Sequence, residues 1–265
     1  MKIGWFSTGG DQAAIDLLKT VQKAIRQGEV KAEIEFVFSN REIGESKATN
    51  QFLTFVNHDE RLPFGTLSSS KFKSSLRAKN VEKWRRKYDS EVIRRLKMFP
   101  SVDLIVLAGY ILVVSKEMCQ RYKMVNLHPA APGGPKGTWQ EVIRQLIENR
   151  AKESGVMMHL VTPELDAGPP TTYCTFPIKD DSNESLWEAV EKDRKDAKLN
   201  LSREIRRRGL QREFPLIITT LKAFSEGKVG INLKKGQIID SKGAPISGYN
   251  LTEEVEENLK GGKKT

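Results

Sequence analysis

Only two cysteines occur in the 265 residues, Cys119 and Cys174, and they stand far apart. That scarcity excludes a disulfide-stapled module and a thiolate metal site, and it predicts a reducing, cytoplasmic setting. Histidine is almost as rare, with His58, His128 and His159 alone, and no metal-ligand spacing is present, so no metal is expected. No stretch of 18 apolar residues exists, and the opening "MKIGWFSTGG" enters a strand pattern directly. Neither a membrane span nor a secretory leader is therefore expected. Internal repeats and linker-like segments are also missing. The length suits one large domain, which we place at residues 1–250, followed by a polar basic tail at 251–265.

What the chain does have is positive charge: 44 Lys and Arg against 34 Asp and Glu, a formal net charge of +10. The excess lies in "KFKSSLRAKNVEKWRRK", "LSREIRRRGLQRE" and "LKGGKKT". Such a balance fits a nucleic-acid partner or a small substrate carrying phosphate or carboxylates. Solvated helix faces and a frayed end explain it equally well.

Periodicity then gives the architecture. "KIGWFST" reads as a strand ending at Gly9-Gly10, and "DQAAIDLLKTVQKAI" as an amphipathic helix capped by Asp11. "AEIEFVFSN" reads as a second strand, "GESKATNQFLTFV" as helical and "LPFGTLS" as a short strand. "NVEKWRRKYDSEVIRRLKMF" is an amphipathic helix closed by Pro100. "VDLIVLAGY" is an uninterrupted apolar run, as a strand buried on both faces requires. The helix "SKEMCQRY", the strand "KMVNLHP" and the Thr138-capped helix "TWQEVIRQLIEN" follow. "GVMMHLVTP" and "TTYCTFPI" read as strands around the turn "ELDAGPP". One long helical region from Glu184 to Phe224 precedes a terminal hairpin, "KVGINLKKGQIID". Strands alternating with helices predict an α/β fold: an open, mostly parallel, Rossmann-like twisted sheet with flanking helices.

The chemistry concentrates at "MVNLHPAAPGG". Asn126 and His128 are two apart on a strand, so they project from one face at its carboxyl edge, where open α/β sheets bind ligands. An amide donor beside an imidazole suits an oxyanion developing on a carbonyl. The alternative is that Asn126 orders the turn and His128 packs quietly. Asp166, in "TPELDAGPP", can orient His128, raise its pKa and relay protons, or it simply starts an Asx-turn. His159, on the strand before that turn, is read as a packed core histidine, with a place facing the site as the alternative.

"VNLHPAAPGGPKGTWQEVI" followed by "HLVTPELDAGPP" resembles the folate-dependent formyltransferase family. The Asn-x-His-Pro and Leu-Asp-x-Gly-Pro pair, about 40 residues apart, carries the resemblance. "VFSN", "VLAGYILVVS", "EGKV" and "GAPISGY" extend it along the chain. The resemblance implies transfer of a formyl group from 10-formyltetrahydrofolate to the amine of glycinamide ribonucleotide, a step of purine biosynthesis. By matching position, Asn126 and His128 would hold the oxyanion, and Asp166 would keep His128 protonated. Ile111, Leu112, Val113, Val114 and Leu165 would border the pterin pocket, although core packing explains the four consecutive aliphatics as well. Gly9, Gly10 and Arg85 would meet the acceptor, with Arg85 otherwise plain surface on a basic helix.

Three departures from the family pattern touch the acceptor. Asp11 follows Gly9-Gly10 where a phosphate would approach, Leu210 takes the place of a glutamate, and Leu112 that of an arginine. Alternatives are another amine, on a sugar nucleotide or methionyl-tRNA, and hydrolysis of formyltetrahydrofolate. The expected partner is a small, phosphorylated amine, with no nucleic acid and no membrane. A monomer or homodimer is expected.

Overall fold

A computed structural model describes residues 1–261. Its frame is an eight-stranded sheet in the order β10-β7-β6-β5-β4-β1-β2-β3. The strands are β1 (Lys2–Phe6), β2 (Glu33–Ser39), β3 (Phe64–Thr66), β4 (Leu104–Leu107), β5 (Met124–His128), β6 (Glu153–Leu160), β7 (Pro170–Pro177) and β10 (Tyr249–Asn250). All are parallel except β6, which runs antiparallel to both β5 and β7. A separate hairpin pairs β8 (Val229–Asn232) with β9 (Gln237–Asp240).

The central strands read as continuous apolar runs because both faces are covered. Along β4, Leu104 and Val106 enter one core, while Ile105 and Leu107 enter the other. The first core is closed by α1 (Gln12–Arg26), α2 (Lys47–Thr54) and the second half of α8 (Ala197–Ser225). The second is closed by α4 (Val81–Leu96) and α5 (Lys116–Arg121). A third core lies where α6 (Trp139–Glu148), α7 (Glu184–Glu191) and the first half of α8 cover β6 and β7. Pro215 sits inside α8 at this change of partners, with Leu216 in the third core and Ile217 in the first.

Local signals explain most boundaries. Asp11 caps α1 by accepting from the Ala14 N–H at 3.2 Å, and Thr138 with Glu141 forms a capping box on α6. The long helical region is in fact two helices. Asp193 and Asp196, at φ +46° and +59°, turn the chain between α7 and α8, a backbone that short acidic side chains tolerate. A short helix, α3 (Ser74–Lys79), precedes α4, and a single π-helical turn, Phe55–Asp59, follows α2. The segment read as a tail differs too. β10 extends the sheet beside β7, and α9 (Thr252–Gly261) buries Val255 in the third core, so the hairpin is not the last element. Residues 262–265 lie outside the described ones.

One glycine fixes the turn that carries Asp166. A Cβ on Gly168 would stand 1.7 Å from the Leu160 carbonyl oxygen. Gly168→Ala must therefore push the turn off the end of β6. The expected loss is at the upper end of the about 1–3 kcal/mol typical of overpacking, a fall of several degrees in Tm. A thermal melt equal to that of the unmodified protein would show that the turn is not pinned there.

Candidate active site

The parallel strands β1, β4 and β5 end at one edge of the sheet, and a cavity of about 520 Å³ opens there. Its walls come from the turn after β1, the segment after β4, the start of α6, the turn after β6, and α8. Ile111 and Leu165 line it while remaining 63% and 53% exposed. Large apolar side chains left that open at a concave surface mark a place for an apolar ligand.

The polar groups meet at the inner wall. Asn126 and His128 share a face of β5, as spacing predicts. The antiparallel register then sets His159 of β6 directly opposite Asn126, and directly opposed residues point to the same side. Asp166 reaches the same spot from its turn, in a left-handed backbone at φ +46°. The His128 Nδ1 lies 3.5 Å from Asp166 Oδ2, and the His159 Nε2 lies 3.5 Å from Asp166 Oδ1. The two rings stand nearly perpendicular, 6.0 Å apart. All three side chains are buried, at 2%, 3% and 8% exposure.

Hydrogen bonds assign the tautomers. The Pro135 carbonyl can only accept, so the His128 Nε2–H donates to it at 2.9 Å. His159 likewise donates Nδ1–H to the Leu160 carbonyl at 3.0 Å, which leaves its Nε2 to accept from the Asn126 amide at 3.1 Å. Asn126 is thereby oriented, with its second N–H available to the cavity. Asp166 accepts from the Gly137 N–H at 3.0 Å. The loop after His128 thus touches both the imidazole and the carboxylate.

Burial governs the charges. It pulls the His128 pKa below 6.5, and it outweighs the opposing pull of the Pro135 carbonyl and of Asp166. Asp166 does pull this pKa upward, as expected, but the net direction is downward: a 2% exposed ring loses more hydration than one carboxylate at 3.5 Å restores. For Asp166, burial is the largest single influence and raises the pKa. The neighbouring histidines and the Gly137 N–H together overcome it and hold the group below the ordinary range.

The remaining expected residues divide. Ile111, Leu112, Val113, Val114 and Leu165 all line the cavity. Gly10 lines it, whereas Gly9 stands behind it at φ +62°, where a Cβ would meet the Phe52 ring at 2.7 Å. Arg85 is not among the lining residues; it pairs with Glu82 on its own helix. Leu210 does not line the cavity, but Arg206 and Glu213 of the same helix do. They form a nearly buried ion pair, with the Arg206 guanidinium 5.2 Å over the Trp139 ring. Burial raises the Glu213 pKa and Arg206 opposes it, while the nearby Asp11 adds to the rise. Among the described residues no group of three or more His, Cys, Asp or Glu could hold a metal, and no helix is long and apolar enough to cross a membrane.

His159 is the site residue that sequence reasoning placed in the core. The signal that locates it is the pairing of "KMVNLHP" with "GVMMHLVTP", which appears only once β6 is known to be antiparallel to β5.

The chain is similar to the phosphoribosylglycinamide formyltransferase of Dictyostelium discoideum, 29% identical over 54% of this chain and 79% of that protein. It is also similar to that of Escherichia coli (strain K12), 30% identical over 63% of this chain and 67% of that protein. Among solved structures, the phosphoribosylglycinamide formyltransferase from Coxiella burnetii superposes with a TM-score of 0.70 at 20% identity, covering 94% of this chain and 98% of that one. A formyltetrahydrofolate deformylase from Pseudomonas syringae pv. tomato superposes at 0.61 and 19% identity, covering 87% and 63%. The family model described as "Formyl transferase" matches residues 6–200. With well over half its length inside that match, the chain belongs to the formyl transferase family.

Proposed function

We propose that this protein transfers the formyl group of 10-formyltetrahydrofolate to the amine of glycinamide ribonucleotide. The observation that carries the reading is the meeting of Asn126, His128 and Asp166 at the inner wall of an otherwise apolar cavity. The named relatives, phosphoribosylglycinamide formyltransferases, support the acceptor. In this reading Ile111 to Val114 and Leu165 border the pterin, and Gly10 faces the acceptor. Arg85 is not given that role, because its side chain is engaged along α4.

The amine lone pair attacks the formyl carbon, and the carbonyl electrons move to oxygen. The free N–H of Asn126 and the Nε2–H of His128 stabilise that oxyanion, the latter exchanging the Pro135 carbonyl for the developing charge. A neutral His128 suffices, since it is a donor at Nε2 and an acceptor at Nδ1. The attacking amine gives its proton to the pair formed by His128 Nδ1 and Asp166. Collapse reforms the carbonyl, breaks the bond to the folate nitrogen and returns a proton to that nitrogen. Asp11 and Glu213 place two carboxylates by the acceptor end, and Arg206 answers them with one guanidinium.

Activity, stability and pH dependence test this. Loss of 10-formyltetrahydrofolate absorbance should require glycinamide ribonucleotide; loss without it would point to hydrolysis, and no loss in either case would sink the assignment. His128→Ala should lower turnover by roughly 100-fold or more, as loss of one oxyanion donor does. Retention of about a tenth of the activity would remove His128 from the chemistry. Because the ring is 2% exposed, this variant should also melt earlier.

The pH dependence follows from the sign of the shift. With the neutral form active and the pKa held below 6.5, kcat/KM should fall as pH drops through a midpoint below 6.5. The ionisation of the acceptor amine is divided out first. Asp166→Asn removes the charge that favours the imidazolium, so the midpoint should move further down; an unmoved midpoint would assign the limb to another group. Asp11→Asn keeps an α1 cap and removes a negative charge, so a phosphorylated acceptor should show a lower KM. An unchanged KM would place the phosphate elsewhere.

A further inference from the structure

The cavity wall from Ile111 to Val114 belongs to neither helix nor strand, so its backbone has no ladder to hold it. Two buried side chains hold its ends instead. At the start, the Ile111 N–H donates to Thr8 Oγ1 at 3.1 Å. Thr8 is itself oriented, because its hydroxyl donates to Asn40 Oδ1 at 2.7 Å and Asn40 donates to Ser69 Oγ at 3.3 Å. Just past the other end, the Ser115 N–H donates to Asp89 Oδ2. Ser115 then caps α5, accepting from the Met118 N–H.

The chemistry proposed above uses none of these groups. Thr8, Asn40, Asp89 and Ser115 are all at most 3% exposed. A carboxylate in that position is not what packing alone would select, since burying it is unfavourable without strong partners. Burial indeed pushes the Asp89 carboxyl up to about 6, against the Ser115 N–H and the Arg85 charge one turn earlier. Between the two fixed ends Val114 is buried at 3% and Ile111 is presented to the cavity at 63%.

We propose that Thr8 and Asp89 are positioning residues for the folate co-substrate: they fix the two ends of the Ile111–Val114 wall and so set the width of the slot that receives the pterin. This rests on the reading of that slot as the pterin site. Without either anchor the wall has several arrangements, and binding must first order them. Affinity for the co-substrate should suffer, while the oxyanion groups on β5, held by the sheet, keep their geometry.

The test uses the full chain and tetrahydrofolate, the co-product, which binds without reacting. Its Kd is measured by calorimetry for the unmodified protein, Thr8→Val, Asp89→Leu and Asp89→Asn, beside steady-state kinetics. Thr8→Val and Asp89→Leu should each raise that Kd, and the Michaelis constant for the formyl donor with it, roughly tenfold. Saturating kcat should stay within about threefold and the acceptor KM should not move. Asp89→Asn retains an oxygen that accepts the same N–H and should restore near-normal affinity. If Asp89→Leu does not fold, Thr8→Val decides, being almost isosteric. Unchanged Kd in the folded variants, or a fall in kcat with both KM values rising together, overturns the positioning role alone. Failure of the unmodified protein to bind tetrahydrofolate overturns the slot reading and this inference with it.

Discussion

The register of β5 against β6 is the constraint on which the site depends. Side chains alternate along a strand, so a slip of one residue would turn Asn126, His128 and His159 away from the cavity together. That register is protected where the backbone approaches closely. Gly155 passes so near β7 and the loop after His128 that a Cβ would lie 2.5 Å from the Cys174 carbonyl oxygen and 2.8 Å from the Ala131 Cβ. Gly168 meets the end of β6 in the same way. Two glycines without catalytic chemistry thus decide where the imidazoles and the carboxylate point.

Once these groups are fixed, burial sets their charge. Two imidazoles flank one carboxylate at 3.5 Å on either side, and each ring also spends a nitrogen on a backbone carbonyl. Burial is the largest influence lowering the His128 pKa, and the neighbouring His159 adds to it. His128 is thereby biased toward its neutral form beside the Asp166 carboxylate. A neutral His128 still donates through its Nε2–H, which is what an oxyanion needs in the proposed reaction. In the proposed reaction, the gain from keeping His128 uncharged is an unprotonated Nδ1 beside Asp166 that can accept the amine's proton.

Most of the fold was legible because its signals are local. The run "VDLIVLAGY" marks a strand covered on both sides, and Asp11 and Thr138 announce α1 and α6 by their caps. The family resemblance rested on equally local motifs, and the match over residues 6–200 bears it out. What escaped was non-local. His159 looks like a core residue until β6 is paired in reverse, and the break at Asp193 to Asp196 needs a left-handed backbone inside a sequence of good helix formers. That Arg85 does not line the cavity was hidden for a related reason: sequence gives a position along the helix but not the direction in which a long side chain is held, here toward Glu82. Leu112 and its neighbours were equally ambiguous, since an aliphatic run reads the same in a core and in a slot wall.

In the proposed reading the molecule also separates its chemistry from the part that meets the acceptor, and the separation is physical. Asn126, His128 and His159 are held by sheet register, so a substitution elsewhere moves them little. Asp11, Arg206 and Glu213 project from helix ends and helix faces around an open volume, where a side chain can change without disturbing any backbone pairing. Asp11 illustrates this. Its carboxylate already accepts the Ala14 N–H, so the α1 N-terminus that would attract an anion is partly satisfied from within. Arg206 is likewise committed, to Glu213 and to the face of Trp139. In the proposed reading, a phosphorylated acceptor competes with two carboxylates for one guanidinium and one helix end. Selectivity at this end then comes, in that reading, from how readily those internal pairs yield, whereas the rate of formyl transfer comes from groups whose backbone the sheet register holds.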